Sequence, residues 1–433
     1  MAASTRPVRP RHASRTAQRR VLSGIAAGAA AILGFTAVGG ATYLQLTLGA
    51  FETHDVSSLL GPAPDSTVEA EDPEPTDFAS GQPINIVLIG TDERNGENGD
   101  IGGRVAEGMR GDTTMVMHIS ADRSRIEVVS IPRDSRVRIS DCQLYDGTTV
   151  KGWTGKFNIA LANGGKNGNR GEAAACVMRT LTDLTGVDFN GHFMMVDFAG
   201  FQNMVDALDG IPMCIPHDMR SSKANLDLEA GPQVLDGETA LAFARARTGS
   251  GLGDGTDLMR IDRQQALLTN TARKALGMNL MTDVPELTSF VRASAESLTM
   301  DSQLGSLDNI IGLAYSLRSF DTSNLVFETV PWQYAGDGSG DVLWREAEAA
   351  EMWQRIVDDE PIAPLFEPQE PAAGATDEPD AATPASTEST GSTPTSPAPT
   401  ATSSSAAPSS APAVTQEPVR ETEEDILAAC EVP

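Results

Sequence analysis

Histidine and cysteine are scarce in this 433-residue chain: five of the first, four of the second, and no two cysteines at CxxC spacing. That argues against a structural zinc site, which needs clustered Cys and His ligands. Basic residues are few as well, 32 Lys and Arg against 60 Asp and Glu, for a net charge of -28. A globular part of that sign repels polyanions, so nucleic-acid binding is excluded. No Walker-type glycine loop is present, and a nucleotide fold is not indicated. Charge is missing altogether from Val21 to Phe51, a run long enough to cross a bilayer.

Six arginines (Arg6, Arg9, Arg11, Arg15, Arg19 and Arg20) and no acid precede that run. The positive-inside rule then keeps residues 1–20 in the cytoplasm and puts everything after about Glu52 outside the cell membrane. The run is longer than the apolar core of a secretory signal, which favours an uncleaved single-pass anchor over 21–51; its Ala and Gly content leaves cleavage open. Residues 52–81 are rich in Pro, Asp and Glu and read as an extracytoplasmic linker. Residues 366–420 are Pro, Ala, Ser and Thr with scattered acids, a composition that buries too little apolar surface to offset ordering entropy. Residues 421–433 regain a short amphipathic pattern around Cys430. In an oxidising compartment Cys142, Cys176, Cys214 and Cys430 imply two disulfides, with three connectivities open.

The part between, 82–365, alternates strand-like and helical stretches. Pro83–Thr91 is an unbroken apolar run of strand length, and further strands read at 113–121, 125–132, 192–198, 211–216 and 324–332. Helical spacing is found at 172–185, 201–210, 266–276, 287–299, 307–317 and 346–359. Such alternation predicts an α/β sandwich. Phe193, Met194, Met195, Phe198, Phe201 and Met204 read mainly as core, with some of them lining an apolar cavity. Residues 266–364 carry no catalytic signature and read as structural.

Polar groups repeatedly follow directly on apolar strands: Asp92 after the first, Arg110 and Asp112 before the second, Arg133 and Asp134 after the third. Ligands of open α/β sheets gather at such strand ends. The densest group of cations is LAFARARTGSGLGDGTDLMRIDRQQ, residues 241–265. Arg245 and Arg247 share a face if their segment is extended, whereas Arg260, Arg263 and Gln264 share one if theirs is helical. Converging guanidinium forks suit a ligand with several negative charges, such as a diphosphate. The alternative is that they pair with Asp254, Asp257 and Asp262. Asp92 and Asp112 together suit a hard divalent cation such as Mg2+, which binds few carboxylates and bridges to phosphate oxygens.

The succession NIVLIGTDER, RGDTT, VVSIPRDS, KFNIA, GFQNMVDALDGI, LDGETALAFARAR and RIDRQQ resembles the LytR-CpsA-Psr family of bacterial cell-wall assembly proteins, in an actinobacterial form, over about 84–274. The resemblance implies a three-layer α/β/α sandwich with a mixed central sheet enclosing an apolar lipid cavity, behind one N-terminal transmembrane helix. It implies a transferase that moves an anionic glycopolymer from a polyprenyl-diphosphate carrier to peptidoglycan, or to a surface protein. Residue by residue it makes Asp92 and Asp112 the Mg2+ ligands and sets Arg110 and Arg133 at the diphosphate. Arg245 and Arg247 match the family's RxR pair, Arg260 and Gln264 match its DxxRxxRQQ segment, and Lys156 and Asn158 line the site. The loop between Arg247 and Arg260 is longer and richer in Gly and Asp than the family pattern. Asp112 or Asp134 would supply the general base, Asp112 poorly if it holds the metal. The competing reading is a non-catalytic scaffold that only binds the lipid diphosphate.

Overall fold

Apolar runs of strand length build the centre of the molecule. In chain order β1 (Glu52–His54), β2 (Ile84–Thr91), β3 (Gly111–Ile119), β4 (Ile126–Ile131), β5 (Phe193–Val196), β6 (Leu298–Asp301) and β7 (Leu325–Thr329) form one sheet ordered β1-β6-β5-β2-β3-β4-β7. The sheet is mixed, with β2 antiparallel to β3 and parallel to β5, and β4 parallel to β7. The hairpin β8 (Trp332–Tyr334) and β9 (Val342–Trp344) follows β7. The computed structural model describes residues 51–60, 77–93, 98–99, 101, 109–253, 257–278, 284–362 and 430. The basic tail 1–20, residues 21–50 of the apolar span, residues 61–76, Arg94 with much of the loop that follows, Asp254, the tail 366–420 and all of 421–433 except Cys430 lie outside the described residues. Among the described residues no helix is long and apolar enough to cross a membrane.

Side chains of alternate strand residues fall on opposite faces, and the core divides accordingly. Val87, Ile89, Val116, Val129 and Ile131 pack with the helices covering one face, α2 (Arg170–Thr185) and α8 (Glu346–Val357); α1 (Ile159–Gly164) joins them there. Ile84, Ile86, Met115, Ile126 and Val128 pack on the other, beneath α5 (Asp257–Gly277) and α7 (Leu307–Ser316). A third cluster joins α3 (Phe198–Ala207), α4 (Gly237–Arg245), α6 (Val284–Ser297) and the strands Ile211–Ile215 and Gly231–Leu235. The three layers expected of the chain are present.

Helix starts follow capping chemistry. Asn169, Asp197 and Asp236 accept hydrogen bonds from the amides of Glu172, Gly200 and Thr239, at 2.9, 2.9 and 2.8 Å. Helix α2 ends at Gly186, whose φ of 75° supplies the left-handed cap. Asp122 turns the β3–β4 hairpin by accepting from the hydroxyls of Ser120 and Ser124.

Three expectations need correction. Glu52–His54 lies within the stretch read as a linker, yet it is the edge strand, Glu52 opposite Thr299. An edge strand of three residues needs little apolar content, because its ladder is made by the backbone. Helix α6 stops at Ser297 instead of continuing to Thr299, because Leu298–Asp301 pairs with β5. Helix α3 starts at Phe198, ahead of the expected Phe201, where Asp197 caps it.

Cys142 bridges Cys176, and Cys214 bridges Cys430. The second bond closes a sequence separation of 216 residues, so it fastens the C-terminal piece to the hairpin strand Ile211–Ile215. Cys430→Ser is expected to lower stability by about 2–5 kcal/mol. Thermal melting with and without reductant checks this: an unchanged Tm in the variant would show that the bond constrains little.

Candidate active site at the strand ends

Strand polarity gathers the site. The C-terminal ends of β2, β4 and β5 and the N-terminal end of β3 lie at the same edge of the sheet, bringing Asp92, Arg133, Asp197 and Asp112 to one side. Gly90 pairs with Thr113 but Thr91 pairs with Gly111, so Asp112 is the extra residue of a β-bulge. Bulges turn a side chain out of the regular alternation. Gly90 suits this close approach, since a Cβ there would lie 3.2 Å from the Thr113 Cβ.

Two guanidinium groups contact Asp112, and the charge of a third, Arg247, acts on it. Arg133 Nη1 donates to Asp112 Oδ1 at 2.5 Å. Arg260 Nη2 donates to the Asp112 carbonyl at 2.7 Å, and its Nη1 lies 3.9 Å from Oδ2. Burial alone would push the Asp112 carboxyl up, but the charges of Arg260, Arg133 and Arg247 outweigh it and hold the group below the ordinary carboxylate range. Asp112 is therefore ionised and a weak base. A depressed folded-state pKa means that this charge favours folding above the unfolded value of about 3.9 and stops doing so as pH falls through the folded value. Wild type is expected to exceed Asp112→Asn in Tm at neutral pH, the gap closing as the pH drops below about 4. A gap independent of pH would contradict this balance of charges.

Arg245 is the last residue of α4, not part of an extended segment, so the shared face expected for Arg245 and Arg247 does not form. The helix ends at Arg245, and Ala246 takes an extended backbone with ψ 129°. Arg245 lies over the Phe198 ring, 4.1 Å from its centroid, and lines a cavity of about 230 Å³ with Asp112, Asp197, Arg260 and Gln264. The rest of the lining is largely apolar and includes Leu88, Met115, Met194, Phe201, Leu268 and Leu298. The cavity thus lies between one face of the sheet and helices α3, α4 and α5. Phe193 and Met195 are fully buried in the core, whereas Met194, Phe198 and Phe201 face the cavity.

The helical spacing of the RIDRQQ stretch is borne out by α5, but the expected common face is not complete. Arg260 and Gln264 reach the cavity; Arg263 points elsewhere, donating to the carbonyls of Ala246 and Leu252. It braces the long loop that follows Arg247, which is also paired to Arg220 through Ser250. Lys156 donates to Asp134 at 2.7 Å and lies 3.4 Å from Asp341, outside the cavity. Asn158 acts through its backbone, its amide donating to the Arg133 carbonyl at 3.1 Å. The KFN segment therefore supports the Arg133 turn and does not line the cavity. Arg110 is exposed and its carbonyl accepts from the Asp92 amide at 2.9 Å, which aligns the two strand ends.

Two residues that the strand-end signal did not single out complete the mouth. Arg170, at the start of α2, donates to Asp197 at 2.8 Å, Glu93 at 3.0 Å, Thr299 at 2.9 Å and Glu52 at 3.3 Å. Burial disfavours its charge, but Glu93 and Asp197 overcome that and raise its pKa. Asp197 ends a strand just as Asp92 does, so the same signal would have found it. Arg170 follows a glycine- and asparagine-rich loop and has no such signal.

Among the described residues no three His, Cys, Asp or Glu gather to hold a metal. Mg2+ asks for less, one or two carboxylates completed by phosphate oxygens and water. Asp92 and the ionised Asp112, on adjoining strand ends, match that donor chemistry.

A model of the LytR_cpsA_psr family matches residues 58–357, well over half of the sequence. The chain belongs to the LytR-CpsA-Psr family. Its curated relatives include two from Corynebacterium glutamicum. The cell wall biosynthesis protein LcpA is 27% identical over 59% of this chain and 51% of its own length. The probable cell wall biosynthesis protein LcpB is 31% identical over 67% and 66%. The chain thus spans about half of the first and two thirds of the second. Enterococcus faecalis TagU, named a polyisoprenyl-teichoic acid–peptidoglycan teichoic acid transferase, is 28% identical over 58% of this chain and 72% of its own. A Streptococcus agalactiae protein of solved structure is 19% identical with a TM-score of 0.50, over 64% of this chain and 88% of that one. That likeness is one of fold.

Proposed function

We propose that this LytR-CpsA-Psr protein is a membrane-anchored transferase that moves an anionic glycopolymer from a polyprenyl-diphosphate carrier to a hydroxyl of peptidoglycan or of a surface protein. The observation that carries this reading is the ionised Asp112 among three arginines at the mouth of an apolar cavity. The apolar interior suits a prenyl chain, and the mouth suits a charged head group. Arg245 and Arg260, both lining the cavity, stabilise the charge that collects on the leaving polyprenyl phosphate as the acceptor hydroxyl bonds to the glycan-side phosphorus, the P–O bond of the diphosphate bridge breaks and the hydroxyl proton passes to water. Arg133 fixes the Asp112 carboxylate, and Gln264, donating to the Ala244 carbonyl at 3.1 Å, ties α5 to the helix carrying Arg245. Asp92 and Asp112 would hold Mg2+, which when bound neutralises phosphate charge as a Lewis acid. Asp112, its pKa lowered by the arginines, is a weak base, and Asp134 is paired with Lys156, so this reading assigns the base to neither.

The full-length protein, purified from membranes, is expected to carry polyprenyl phosphate or diphosphate detectable by mass spectrometry. Arg245→Ala is expected to retain about tenfold less. No captured lipid, even after incubation with polyprenyl diphosphate and Mg2+, would return the arginines to ordinary ion pairing.

A further inference from the structure

A second concavity, about 590 Å³, opens between α5, the end of β7 and the hairpin β8–β9, in the half of the chain that reads as purely structural. Its lining includes Trp332, Tyr334, Gln333, Glu328, Asp262 and Arg345. Trp332 and Tyr334 are two apart in a strand, which sets their rings on one face; the centroids are 5.2 Å apart at 74°. Tyr334 is 49% exposed. An edge-to-face aromatic pair open to solvent, with an amide and carboxyls beside it, has the composition that recognises sugars: ring faces meet the C–H faces of the pyranose, polar groups meet its hydroxyls.

We propose that this groove binds a neutral saccharide chain, stacked on Trp332 and Tyr334 and hydrogen-bonded by Gln333, Glu328 and Asp262. The charge pattern separates it from the cavity. Two carboxyls stand against one arginine, Arg345, which also lies 3.8 Å from Glu348. Arginines therefore do not dominate here as they do at Asp112, and an anionic polymer is repelled where an uncharged one is not.

The groove is built onto the active site. Val342 donates to the Asp134 carbonyl at 3.1 Å, and Trp344 Nε1 donates to Ser135 Oγ at 3.0 Å, so the hairpin rests on the turn that carries Arg133. Gln265, on the same helix as Arg260, donates to Ser130 Oγ at 2.9 Å and Thr329 Oγ1 at 3.1 Å. A saccharide held there lies on the acceptor side of the transfer; that placement rests on the proposed function, whereas saccharide binding itself does not.

The test uses the full-length protein in a detergent without a sugar head group, titrated with chitotetraose and with maltotetraose while tryptophan fluorescence and heat are followed. Saturable binding of at least one sugar at millimolar concentration is expected, weakened at least about tenfold in both Trp332→Ala and Tyr334→Ala. Tyr334 is exposed enough that its variant keeps the wild-type Tm. No saturation by either sugar overturns the proposal, as does binding that survives both substitutions or that an oligogalacturonate displaces. Wild type is assayed in parallel for polyprenyl capture. Sugar binding without capture sinks only the transfer reading; capture without sugar binding sinks only this one.

Discussion

Arg260→Ala is expected to lower glycopolymer transfer by about 10²–10³-fold, the loss usual for removing one preorganised donor from a developing charge. The side chain is only 2% exposed, and its fork holds the Asp112 carbonyl while lining the cavity. It is also the largest of the charges that keep Asp112 ionised. On the proposed function, its removal therefore takes away a phosphate partner and loosens the bulged carboxylate together. Arg260→Lys separates shape from charge: the ammonium keeps the charge but lacks the fork, so most of the loss is expected to remain. Initial rates with a lipid-linked donor, measured beside lipid capture and a thermal melt, give the answer. A rate within about threefold of wild type in Arg260→Lys would show that charge alone suffices. Lost transfer with retained capture would separate a transferase from a scaffold, which has no step to lose.

Arg170→Ala is expected to cost about 3–5 kcal/mol, the range for breaking a buried ion pair from one side. Arg170 is the common partner of Glu52, Glu93 and Asp197, and the last two are largely buried. Without it these acids face one another near the cavity mouth with their largest countercharge gone. The substitution is thus expected to lower Tm by roughly 10 °C and also to weaken lipid capture, because Asp197 both lines the cavity and caps α3. Arg170→Met keeps the volume but not the charge and is expected to behave like alanine. A loss under about 1 kcal/mol in both variants would mean that the acids are neutralised elsewhere.

Much of the fold was legible because its signals are local. Strands β2, β3, β4 and β5 each hold an apolar run of strand length, and helices α5, α7 and α8 show their spacing in the sequence alone. Asp92, Asp112 and Arg133 were legible for a related reason: a polar group at the end of a buried strand has no part in the core and is carried to the sheet edge. Arg245 does line the cavity, but the local evidence left open whether its segment is extended or helical, and it misplaced Arg263. Two arginines at spacing two look like a strand face, but LAFAR continues a helix capped by Asp236. Arg263 shares helical spacing with Arg260, yet the loop carbonyls it braces come from elsewhere in the chain.

What the sequence alone determined is most of the central strands and helices and the chemistry at their ends, since hydrophobic periodicity and capping act over a few residues. Tertiary structure decided everything that depends on partners far apart in the chain. Glu52–His54 became a strand because β6 offered an edge, 247 residues away at the Thr299 bond to Glu52. Asp112 is held ionised because Arg133 and Arg260 arrive from the turn after β4 and from α5. Trp332 and Tyr334 form a groove because the hairpin that bears them settles on the Arg133 turn. Burial and charge at each of these places are sums over distant neighbours, and no local pattern encodes such a sum.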